Sequence, residues 1–537
     1  MFRFIFKQKK YFVLFFALGG VNLLCTMKLQ IWNGRILDTA LGKTSYSMST
    51  LMLLSLGAMI FAALFTYFYD LVKSKLVIVA EADLRKTYFD ALLKKNMGEY
   101  INIPEGKISA DYTDKIDAVS GEYFYVWTAL TDHVLIFSVT IITLLTINIQ
   151  TAFVTVVLLM IPLMVPTVLK NILAKVSKER MAAVEKHFSA VRTWLKGIDI
   201  IKVFSCEQYI IFRYDKVNEF LRKKQMDAVK VSCFETALSF FVSAIVNLLM
   251  TAYCAYYVYK DVFSIGELYT IMGLVAMMSR PMYWTANLLK TFFSSRPVRD
   301  AMVEFIDAKT EIGEDEVLED FTVDAKGLSF SYNEKKILNN TDFTFKQNEK
   351  ILILGESGSG KSTIMRLLLG IHVPDSGSIT IGGTAPKKIK NISDVISIQQ
   401  QEAYIFKMNL LDNLFLDKEI TEEKVKDVLN SVGLNKYTED KYLKETVIGE
   451  TYGFSGGEKK RISIARAVLH KRPIMIFDEP LANIDNENIE RVKNLIFSIK
   501  DSTVIIISHI ADTETKKLFD RIYKFDTNER SLYEEAV

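Results

Sequence analysis

Cysteine and histidine are scarce in this chain of 537 residues, which contains four of the former and five of the latter. The cysteines lie far apart, and the sequence has no CxxC pair and no cysteine–histidine cluster. This spacing provides neither a disulfide framework nor a cysteine-based metal site, so the cysteines are interpreted as small apolar residues. Internal repeats and low-complexity segments are also absent from the sequence.

A strong charge imbalance is missing as well, because the formal net charge is +3 and charged residues make up 24% of the chain. This balance gives no indication of nucleic-acid binding. Hydrophobic residues amount to 50% of the chain, but they are not evenly distributed. Long apolar runs are frequent in the first 290 residues and absent from the second half. Since the chain is too long for a single hydrophobic core, this distribution predicts at least two domains of different character.

Six apolar runs in the first half are long enough to cross a bilayer. We predict spans at residues 11–32, 51–71, 130–147, 151–169, 231–259 and 263–288. The stretches after the second and fourth spans are charged and have a helical period, which predicts helices that continue beyond the membrane. We expect these helices to turn near Glu99–Glu105 and Glu207–Arg213. Independent soluble inserts are disfavoured, because no Gly/Pro-rich boundary separates these stretches from the spans.

Basic residues indicate the orientation of the spans. Fourteen Lys and Arg residues lie between Lys170 and Lys230, whereas the predicted outer connections Asn33–Ser47 and Lys260–Val262 carry two and one. The positive-inside rule therefore predicts a multi-pass protein of the plasma or inner membrane, with the N-terminus and the second domain in the cytoplasm. The alternative, a cleaved N-terminal signal peptide, is disfavoured by a poor cleavage site and an apolar run that continues to Trp32.

Ionisable residues within the predicted spans are costly in lipid and are therefore informative. They are Asp132, His133, Glu235 and Arg280. The first three lie near the predicted inner ends, where a solvated boundary position is favoured over a cavity-lining one. Arg280 lies deeper and precedes the helix-kinking Pro281, and for this residue both interpretations stay open.

An acidic connector is predicted between the two halves. Residues 1–300 are assigned to the membrane domain, 301–317 to a linker and 318–537 to a second domain. The helical pattern at Arg299–Asp307 predicts a short helix at this junction.

The second half contains the segment Gly355–Thr363, which reads GESGSGKST. It follows the apolar run Lys350–Leu354 and precedes the helix-like Ile364–Leu369, which is the strand–loop–helix context of a P-loop. The glycines allow backbone N–H groups to face a triphosphate, and the helix N-terminus adds partial positive charge. Lys361 is predicted to reach the β- and γ-phosphates, and the Ser362 hydroxyl to ligate Mg²⁺.

Further motifs occur in order around this loop. They are an aromatic strand end at Tyr332, glutamines at 399–401, a Ser-Gly-Gly segment at 455–457 that opens a basic helix, an acidic strand end at 478–479 and a Ser-His strand end at 508–509. Glu479 alone could be a solvated acid at the end of a strand. Asp478 beside it and the P-loop upstream favour a catalytic role instead.

With these motifs in place, residues 318–537 resemble the nucleotide-binding domain of an ABC transporter. Residues 1–300 resemble the membrane domain of the ABC exporter fold (type I, also called type IV), and Thr446–Glu450 is similar to the TxVGE stretch of that group. The resemblance implies a half-transporter that binds ATP and Mg²⁺. Its fold class would be an all-α membrane domain of six helices followed by an α/β P-loop NTPase domain with a helical subdomain.

The resemblance also implies a role for each matching residue. Tyr332 would stack on the adenine, and Gln401 would sense the metal and the attacking water. Glu479 would polarise that water, and His509 would contact the γ-phosphate. Mg²⁺ would be held by Ser362, Gln401 and Asp478. The remaining contacts to ATP would come from Gly355, Ser357, Gly358, Ser359, Gly360, Lys361, Thr363, Ser455, Gly456, Gly457 and Asp485.

The segment Phe454–Glu458 matches the signature motif of the family, but it departs from the usual pattern. It reads FSGGE where LSGGQ is usual. Ser455 and the two glycines keep the donors that would meet ATP held by the opposite subunit. Glu458 is expected to add a negative charge near that nucleotide. Since P-loop and signature lie on opposite faces of the domain in this family, a second half-transporter is expected as partner, in a homodimer or a heterodimer.

Several functions are compatible with this sequence. The favoured one is export of a peptide, lipid or amphipathic small molecule by alternating access. The alternatives are import through an exporter fold, for example of a metal-chelator complex, and ATP sensing at the membrane without pumping. The apolar spans argue against a soluble ABC ATPase acting on ribosomes or DNA, and a leader-cleaving role is not expected because no peptidase-like segment precedes the first span.

Overall fold

The structure is a computed structural model that describes residues 1–95, 97–101, 103, 108–109, 111–308, 318–333, 335–356, 358–416, 420–445, 453–509 and 511–535. Ser357, the Thr446–Glu450 stretch and the side chain of Arg280 lie outside the described residues, so the predictions for them are not tested. The chain divides into two units, one made of Met1–Ala91 with Gly106–Ala308 and the other of Leu92–Glu105 with Lys309–Val537.

Helices form the first unit. In chain order, together with α4 of the second unit, the helices are α1 (Phe2–Lys7), α2 (Lys9–Ala40), α3 (Met48–Leu93), α4 (Met97–Ile101), α5 (Ile116–Val119), α6 (Val126–Ile147), α7 (Ile149–Val168), α8 (Lys170–Lys196), α9 (Ile198–Val203), α10 (Glu207–Tyr259), α11 (Ile265–Ser294) and α12 (Arg296–Asp307). Two π-helical turns, Asp111–Lys115 and Ser120–Tyr125, flank α5 and make it continuous with α6.

The predicted spans coincide with helices of this unit. Among the described residues, four helices are long and apolar enough to cross a membrane: Lys9–Ala40, Met48–Leu93, Asp111–Ile147 and Glu207–Tyr259. The other two predicted spans fall on α7 and α11, whose shorter apolar stretches are Ile149–Pro162 and Ile265–Ser279. The position of each span on a helix is therefore confirmed, and the crossing of all six stays a prediction.

Two helices, α3 and α10, extend well past the predicted spans, and α8 follows the fourth span after a turn at Leu169. With 53 residues, α10 is about 80 Å long, whereas the hydrocarbon core of a bilayer is about 30 Å thick. The prediction that the charged stretches continue the spans as helices is thus confirmed for α3, α8 and α10. A predicted turn at Glu207–Arg213 is wrong, because α10 begins at Glu207. The helix instead breaks at Phe204–Cys206, where Ser205 has a φ of 48°.

Glycines bring α2 and α11 into close contact. A Cβ at Gly34 would lie 2.4 Å from the carbonyl oxygen of Gly266, and one at Gly266 would lie 2.2 Å from that of Gly34. Beside this contact, the buried carboxylate of Asp38 accepts hydrogen bonds from Ser264 Oγ (2.7 Å) and Gly266 N (2.8 Å). Asp38 therefore satisfies a backbone donor that the first turn of α11 leaves without an intrahelical partner.

The expected solvated position of Asp132 is wrong. The side chains of Asp132 and Lys73 are only 17% and 15% exposed and form an ion pair, and the Tyr69 hydroxyl donates to the same carboxylate. His133 is half-buried, with Nδ1 2.8 Å from Thr285 Oγ1. Because α3 and α11 supply these partners, contacts within the helix bundle replace hydration at both positions.

The predicted helix at the junction between the halves is present as α12. Met302 on this helix is buried in an apolar cluster with Tyr88 and Tyr123 of the first unit. The first unit ends at Ala308, so the first residues of the predicted linker are helical. Residues 309–317 lie outside the described residues, and the domain boundaries stay a prediction.

Two sheets form the centre of the second unit. Their strands are β1 (Val323–Tyr332), β2 (Lys335–Phe345), β3 (Lys350–Leu354), β4 (Ser376–Ile381), β5 (Ile396–Gln399), β6 (Ile474–Asp478), β7 (Thr503–Ser508), β8 (Arg521–Asp526) and β9 (Ser531–Glu535). The smaller sheet is antiparallel, with the order β2–β1–β4. The larger has the order β5–β6–β7–β3–β8–β9 and is parallel except for β9.

Helices cover the larger sheet. They are α13 (Lys361–Leu368), α14 (Ile392–Val395), α15 (Leu410–Phe415), α16 (Glu422–Ser431), α17 (Gly456–Leu469), α18 (Asn486–Phe497) and α19 (Thr513–Lys516). Short 3₁₀ turns at Pro386–Lys388 and Asn435–Thr438 and a π-helical turn at Lys441–Glu445 complete the described elements. The central strands β3, β6 and β7 are buried almost throughout, which explains their continuous apolar runs.

Candidate functional site

A glycine-rich loop joins β3 to α13 at the carboxyl edge of the larger sheet. Gly358 and Gly360 have φ angles of 78° and 121°, a region in which residues with a Cβ are strained. A Cβ at Gly360 would also lie 2.9 Å from atoms of Phe525 and Ile337. The described part of Gly355–Thr363 therefore adopts the predicted strand–loop–helix arrangement, and its backbone explains why glycine is needed at these positions.

Lys361 begins α13, is buried, and turns back onto the loop. Its Nζ donates hydrogen bonds to the carbonyl oxygens of Gly355 (2.6 Å) and Glu356 (2.7 Å). Burial lowers the pKa of Lys361, and the carboxylates of Glu479 and Asp478 act in the opposite direction. A triphosphate would offer this ammonium group charged oxygens in place of neutral carbonyls, and such charge-assisted hydrogen bonds are stronger.

Three of the predicted side chains meet beside this loop. Because β6, β7 and β3 are neighbouring parallel strands, the residues that follow them share one sheet edge. Glu479 Oε1 lies 2.5 Å from His509 Nε2, and Gln401 Nε2 donates to Glu479 Oε2 (3.2 Å). The second ring nitrogen of His509, Nδ1, lies 2.8 Å from the carbonyl oxygen of Gly355. The strand ends thus place a carboxylate, an amide and an imidazole around the expected position of the γ-phosphate.

Oxygen donors suitable for Mg²⁺ occur at the same edge. Burial raises the pKa of Asp478 at the end of β6, and the charge of Glu479 adds to this effect. A cation would stabilise both carboxylates, and the exposed Ser362 follows Lys361 at the start of α13. The described residues contain no group of three or more His, Cys, Asp or Glu side chains that could hold a metal ion by themselves. This donor set fits Mg²⁺, which needs few protein ligands and takes others from phosphates and water.

Tyr332 lies at the end of β1, as the sequence predicts. Its ring packs edge-on against Phe330 and His372. Its hydroxyl accepts a hydrogen bond from Arg366 Nη1 (3.0 Å) and lies 2.9 Å from His372 Nε2. Burial lowers the pKa of His372, with the charge of Arg366 acting in the same direction. A neutral His372 can accept a hydrogen bond from the Tyr332 hydroxyl, so the aromatic ring is fixed before any adenine arrives.

The signature residues begin α17, where Ser455 is the N-cap. Ser455 Oγ accepts from the N–H of Glu458 (3.2 Å), and the Glu458 carboxylate accepts from the N–H of Ser455 (2.8 Å). The Tyr437 hydroxyl also donates to Glu458, at 2.5 Å. Burial opposes ionisation, but the hydrogen bonds from Tyr437 and Ser455 outweigh it and lower the pKa of Glu458. The Glu458 charge thus caps the helix inside the domain, and its expected effect on the nucleotide held by the opposite subunit stays a prediction.

Two functional candidates on α17 were missed by the sequence reasoning, which treated them as part of a basic helix. Lys460 is buried, and its Nζ donates to the carbonyl oxygens of Gln401 (2.9 Å) and Asp478 (3.2 Å). Arg461 is also buried and binds Asp485 Oδ1 at 2.5 Å. Helical periodicity could have indicated Lys460, because it lies one turn before the buried Ile464.

Together, the P-loop, the acidic strand end and the helices of membrane-spanning length define a membrane-embedded nucleoside triphosphatase. Residues 11–282 match the model of the ABC transporter transmembrane region, and residues 338–482 match the ABC transporter model. The first match alone covers about half of the chain, and this chain belongs to the ABC transporter family. It is an ATP-binding transporter of the exporter fold, with ATPase activity coupled to transport.

Curated relatives and a solved structure agree with this assignment. A lactococcin-G-processing and transport ATP-binding protein of Lactococcus lactis subsp. lactis is 26% identical over 86% of this chain and 68% of the relative. An ATP-dependent lipid A-core flippase of Pseudoalteromonas translucida (strain TAC 125) is 27% identical over 69% of this chain and 66% of the relative. The structure of a bacterial Atm1-family ABC exporter with ATP bound matches with a TM-score of 0.81 over 98% of this chain and 94% of that chain, at 17% identity.

The relatives differ in length from this chain and in the cargo that their names state. The chain spans only 45% of a lactococcin transport/processing protein of Lactococcus lactis subsp. lactis (strain IL1403). At 17% identity the matched structure shows the fold alone. The cargo, the direction of transport and the partner subunit are therefore matters for proposal.

Proposed function

We propose that the protein exports a peptide, a lipid or an amphipathic small molecule by alternating access in a dimer driven by ATP. The observation that carries this proposal is the cluster of Lys361, Glu479 and His509 at one sheet edge. The same chain contains helices of membrane-spanning length. The names of two relatives, a lactococcin transporter and a lipid A-core flippase, support this range of substrates.

Hydrolysis is assigned to the side chains around the ends of β6 and β7. Lys361 and the loop N–H groups bind the phosphates, and Tyr332 stacks on the adenine. Glu479 polarises the attacking water, with Gln401 positioning it. His509, which bridges Glu479 and the loop, turns to the γ-phosphate when ATP is bound. Mg²⁺ would be held by Ser362, Gln401 and Asp478 and would neutralise charge on the phosphates.

A second subunit completes each ATP site. Ser455 and Gly456 are exposed at the start of α17, where a hydroxyl and backbone N–H groups are available to a phosphate. Asp485, held by Arg461, precedes α18, and we propose that its loop crosses between the two subunits. Two chains close on two ATP molecules, and ATP favours the closed dimer only through its higher affinity for that state. The partner is a second copy or a related half-transporter.

The long helices α3, α8 and α10 carry this closure to the membrane spans. We assign these helices to the cytoplasm, together with the N-terminus and the ATPase domain, because their stretches are basic. Closure opens the cavity outward, and hydrolysis with phosphate release resets it. The direction that we propose for the substrate in this cycle is outward, that is, export.

The substitution Glu479→Gln tests the assigned chemistry. The amide keeps the shape of the side chain but cannot polarise water, so ATP hydrolysis should fall by about a hundredfold or more. ATP binding should persist. Both quantities are measured on the full chain in lipid nanodiscs, by phosphate release and by binding of a fluorescent ATP analogue.

Glu487→Gln provides the matched control, because Glu487 is a nearby acid on α18 with no role in the proposed site. Normal turnover of the Glu479→Gln protein would refute the assignment. Hydrolysis that never responds to any peptide, lipid or amphiphile would instead favour an ATP sensor. The direction in which substrate moves in oriented vesicles separates export from import.

A further inference from the structure

One acidic side chain of the first unit lacks a partner. Glu235 on α10 is only 6% exposed, and among the residues that the structure describes none forms a hydrogen bond or ion pair with its carboxylate. The sequence favoured a boundary position over a cavity-lining one for Glu235, whereas in the structure this residue lines a cavity. A buried carboxylate ordinarily has a cation or hydrogen-bond donors beside it, because removing its charge from water is costly. Asp132, for comparison, has both Lys73 and Tyr69.

Next to Glu235 there is a cavity and not a partner side chain. Glu235 lines a cavity of about 690 Å³ between α8, α10 and α11, a volume within the range of about 300–1,000 Å³ that small-ligand pockets have. Three basic residues line the same cavity and are exposed: Lys170, Arg180 and Lys290. None of the three forms an ion pair with Glu235, so the cavity contains a buried negative charge and separate, exposed positive charges.

Apolar side chains are also part of the wall, among them Leu173 and Leu289. A ligand that suits this cavity has an ammonium group for the buried carboxylate, apolar groups for the wall and an anionic group for the exposed cations. A peptide can place these groups at separate positions along its length. A phospholipid carries both charges in one head group, which fits less well with charges that differ in burial.

We infer that Glu235 binds an ammonium group of an amphipathic peptide substrate. The inference rests on the proposed transport function and narrows its substrate class. The peptide ammonium completes the hydrogen bonding of the Glu235 carboxylate, and a carboxylate of the same peptide meets the cations of the cavity. Charge-assisted hydrogen bonds in a buried site give this contact its strength.

Two synthetic probes test the inference on the full chain in nanodiscs. Both are the same lysine-free amphipathic decapeptide with a free C-terminal carboxylate and a C-terminally placed fluorophore on a side chain, one with a free N-terminal amine and one N-acetylated. On the wild-type protein, acetylation should weaken binding by about tenfold or more. Glu235→Gln should weaken binding of the free-amine peptide to a similar degree. Acetylation of the peptide should not weaken binding to that variant any further, because the substitution has already removed the contact between the Glu235 carboxylate and the ammonium group.

Glu219→Gln is the control, since Glu219 is an exposed acid on the same helix, with a side chain 74% exposed. Glu235→Asp keeps the charge and should retain part of the discrimination between the two peptides. Equal binding of both peptides to the wild-type protein would overturn the inference, and this comparison decides the matter even if Glu235→Gln does not fold.

Vesicles separate peptide from lipid. A lipid substrate would be indicated if phosphatidylethanolamine, but not phosphatidylcholine, stimulates the wild-type ATPase and Glu235→Gln removes that stimulation, and the peptide assignment would then be wrong. Failure of the transport function itself has a different result, namely ATP hydrolysis by the wild-type protein that responds to no peptide, lipid or amphiphile.

Discussion

Single residues of α17 show how charge is used inside the ATPase domain. Glu458 and Lys460 are two residues apart, and both side chains form hydrogen bonds within the domain. Glu458 caps its own helix and accepts from Tyr437, while Lys460 bridges the carbonyl oxygens of Gln401 and Asp478. Burial lowers the pKa of Lys460, against the effect of the carboxylates of Asp478 and Glu479. Lys460 is thus a positioning residue that fixes two parts of the hydrolysis site relative to each other.

Substitution of Lys460 by methionine tests this role. Methionine has a similar length but no donors, so two carbonyl oxygens lose their partner and the Gln401 segment is no longer fixed to the end of β6. The kcat for ATP should fall by about tenfold or more, with a much smaller change in KM, because Lys361 and the loop still bind the phosphates. Steady-state phosphate release over a range of ATP concentrations measures both.

Lys459→Met is the matched control, because Lys459 is the exposed neighbour on the same helix. An equal loss in both variants would indicate a general effect of charge on the helix. Lys460→Arg should recover part of kcat, since it restores donors at this position. An unchanged kcat in Lys460→Met would contradict the positioning role.

At the level of elements, the contact between α2 and α11 depends on two glycines. Small residues allow membrane helices to approach closely, where backbone contacts add to packing. Gly34 and Gly266 each occupy a position at which a Cβ would overlap the backbone of the other helix. Asp38 then links the start of α11 to α2 through Ser264 and Gly266. The two helices are therefore held by shape and by a buried carboxylate together.

Gly34→Ala should separate these helices and lower the thermal stability of the full chain. Overpacking of this kind costs about 1–3 kcal/mol, and the added methyl group would meet backbone as well as the Thr270 side chain. The midpoint of thermal unfolding in detergent, followed by tryptophan fluorescence, gives the change.

Gly20→Ala is the control on the same helix, because a Cβ there has nothing within 4 Å. It should leave the midpoint unchanged or raise it slightly, as alanine is the better helix former. If Gly34→Ala were as stable as Gly20→Ala, the close helix contact would not be what stabilises this part of the unit.

At the level of the whole molecule, the proposed dimer divides each ATP site between two chains. The variant Lys361→Ala impairs phosphate binding, and Ser455→Arg blocks the signature. If the chains form homodimers, co-expression of the two variants produces mixed dimers with one intact site. Hydrolysis should then reappear in the purified mixture, whereas each variant alone should be nearly inactive.

The control for this experiment combines both substitutions in one chain and co-expresses it with the Lys361→Ala chain. No site in that mixture is complete, so no activity should return. Absence of recovery in the first mixture, despite mixed dimers on a gel, would contradict sites shared between two copies and favour a different partner subunit.

Much of the fold followed from local sequence patterns. The apolar runs at the predicted spans are helical, and Lys350–Leu354 and Thr503–Ile507 form buried strands, because continuous apolar runs specify elements buried on both faces. The P-loop was recognisable since its glycines and Lys361 are contiguous. The break before α10 was misplaced by a few residues, because it depends on the backbone of Ser205, which no strong turn residue marks.

The sequence by itself determined the class of this protein. Phosphate binding depends on residues that are adjacent in the chain, and membrane insertion depends on the composition of about 20 consecutive residues. Tertiary structure decided which charges are paired. Asp132 with Lys73, Glu458 with Tyr437 and Lys460 with Gln401 join residues far apart in the chain, and the cavity beside Glu235 exists only between packed helices. The cost of burying a charge depends on those distant neighbours, and a single sequence does not specify them.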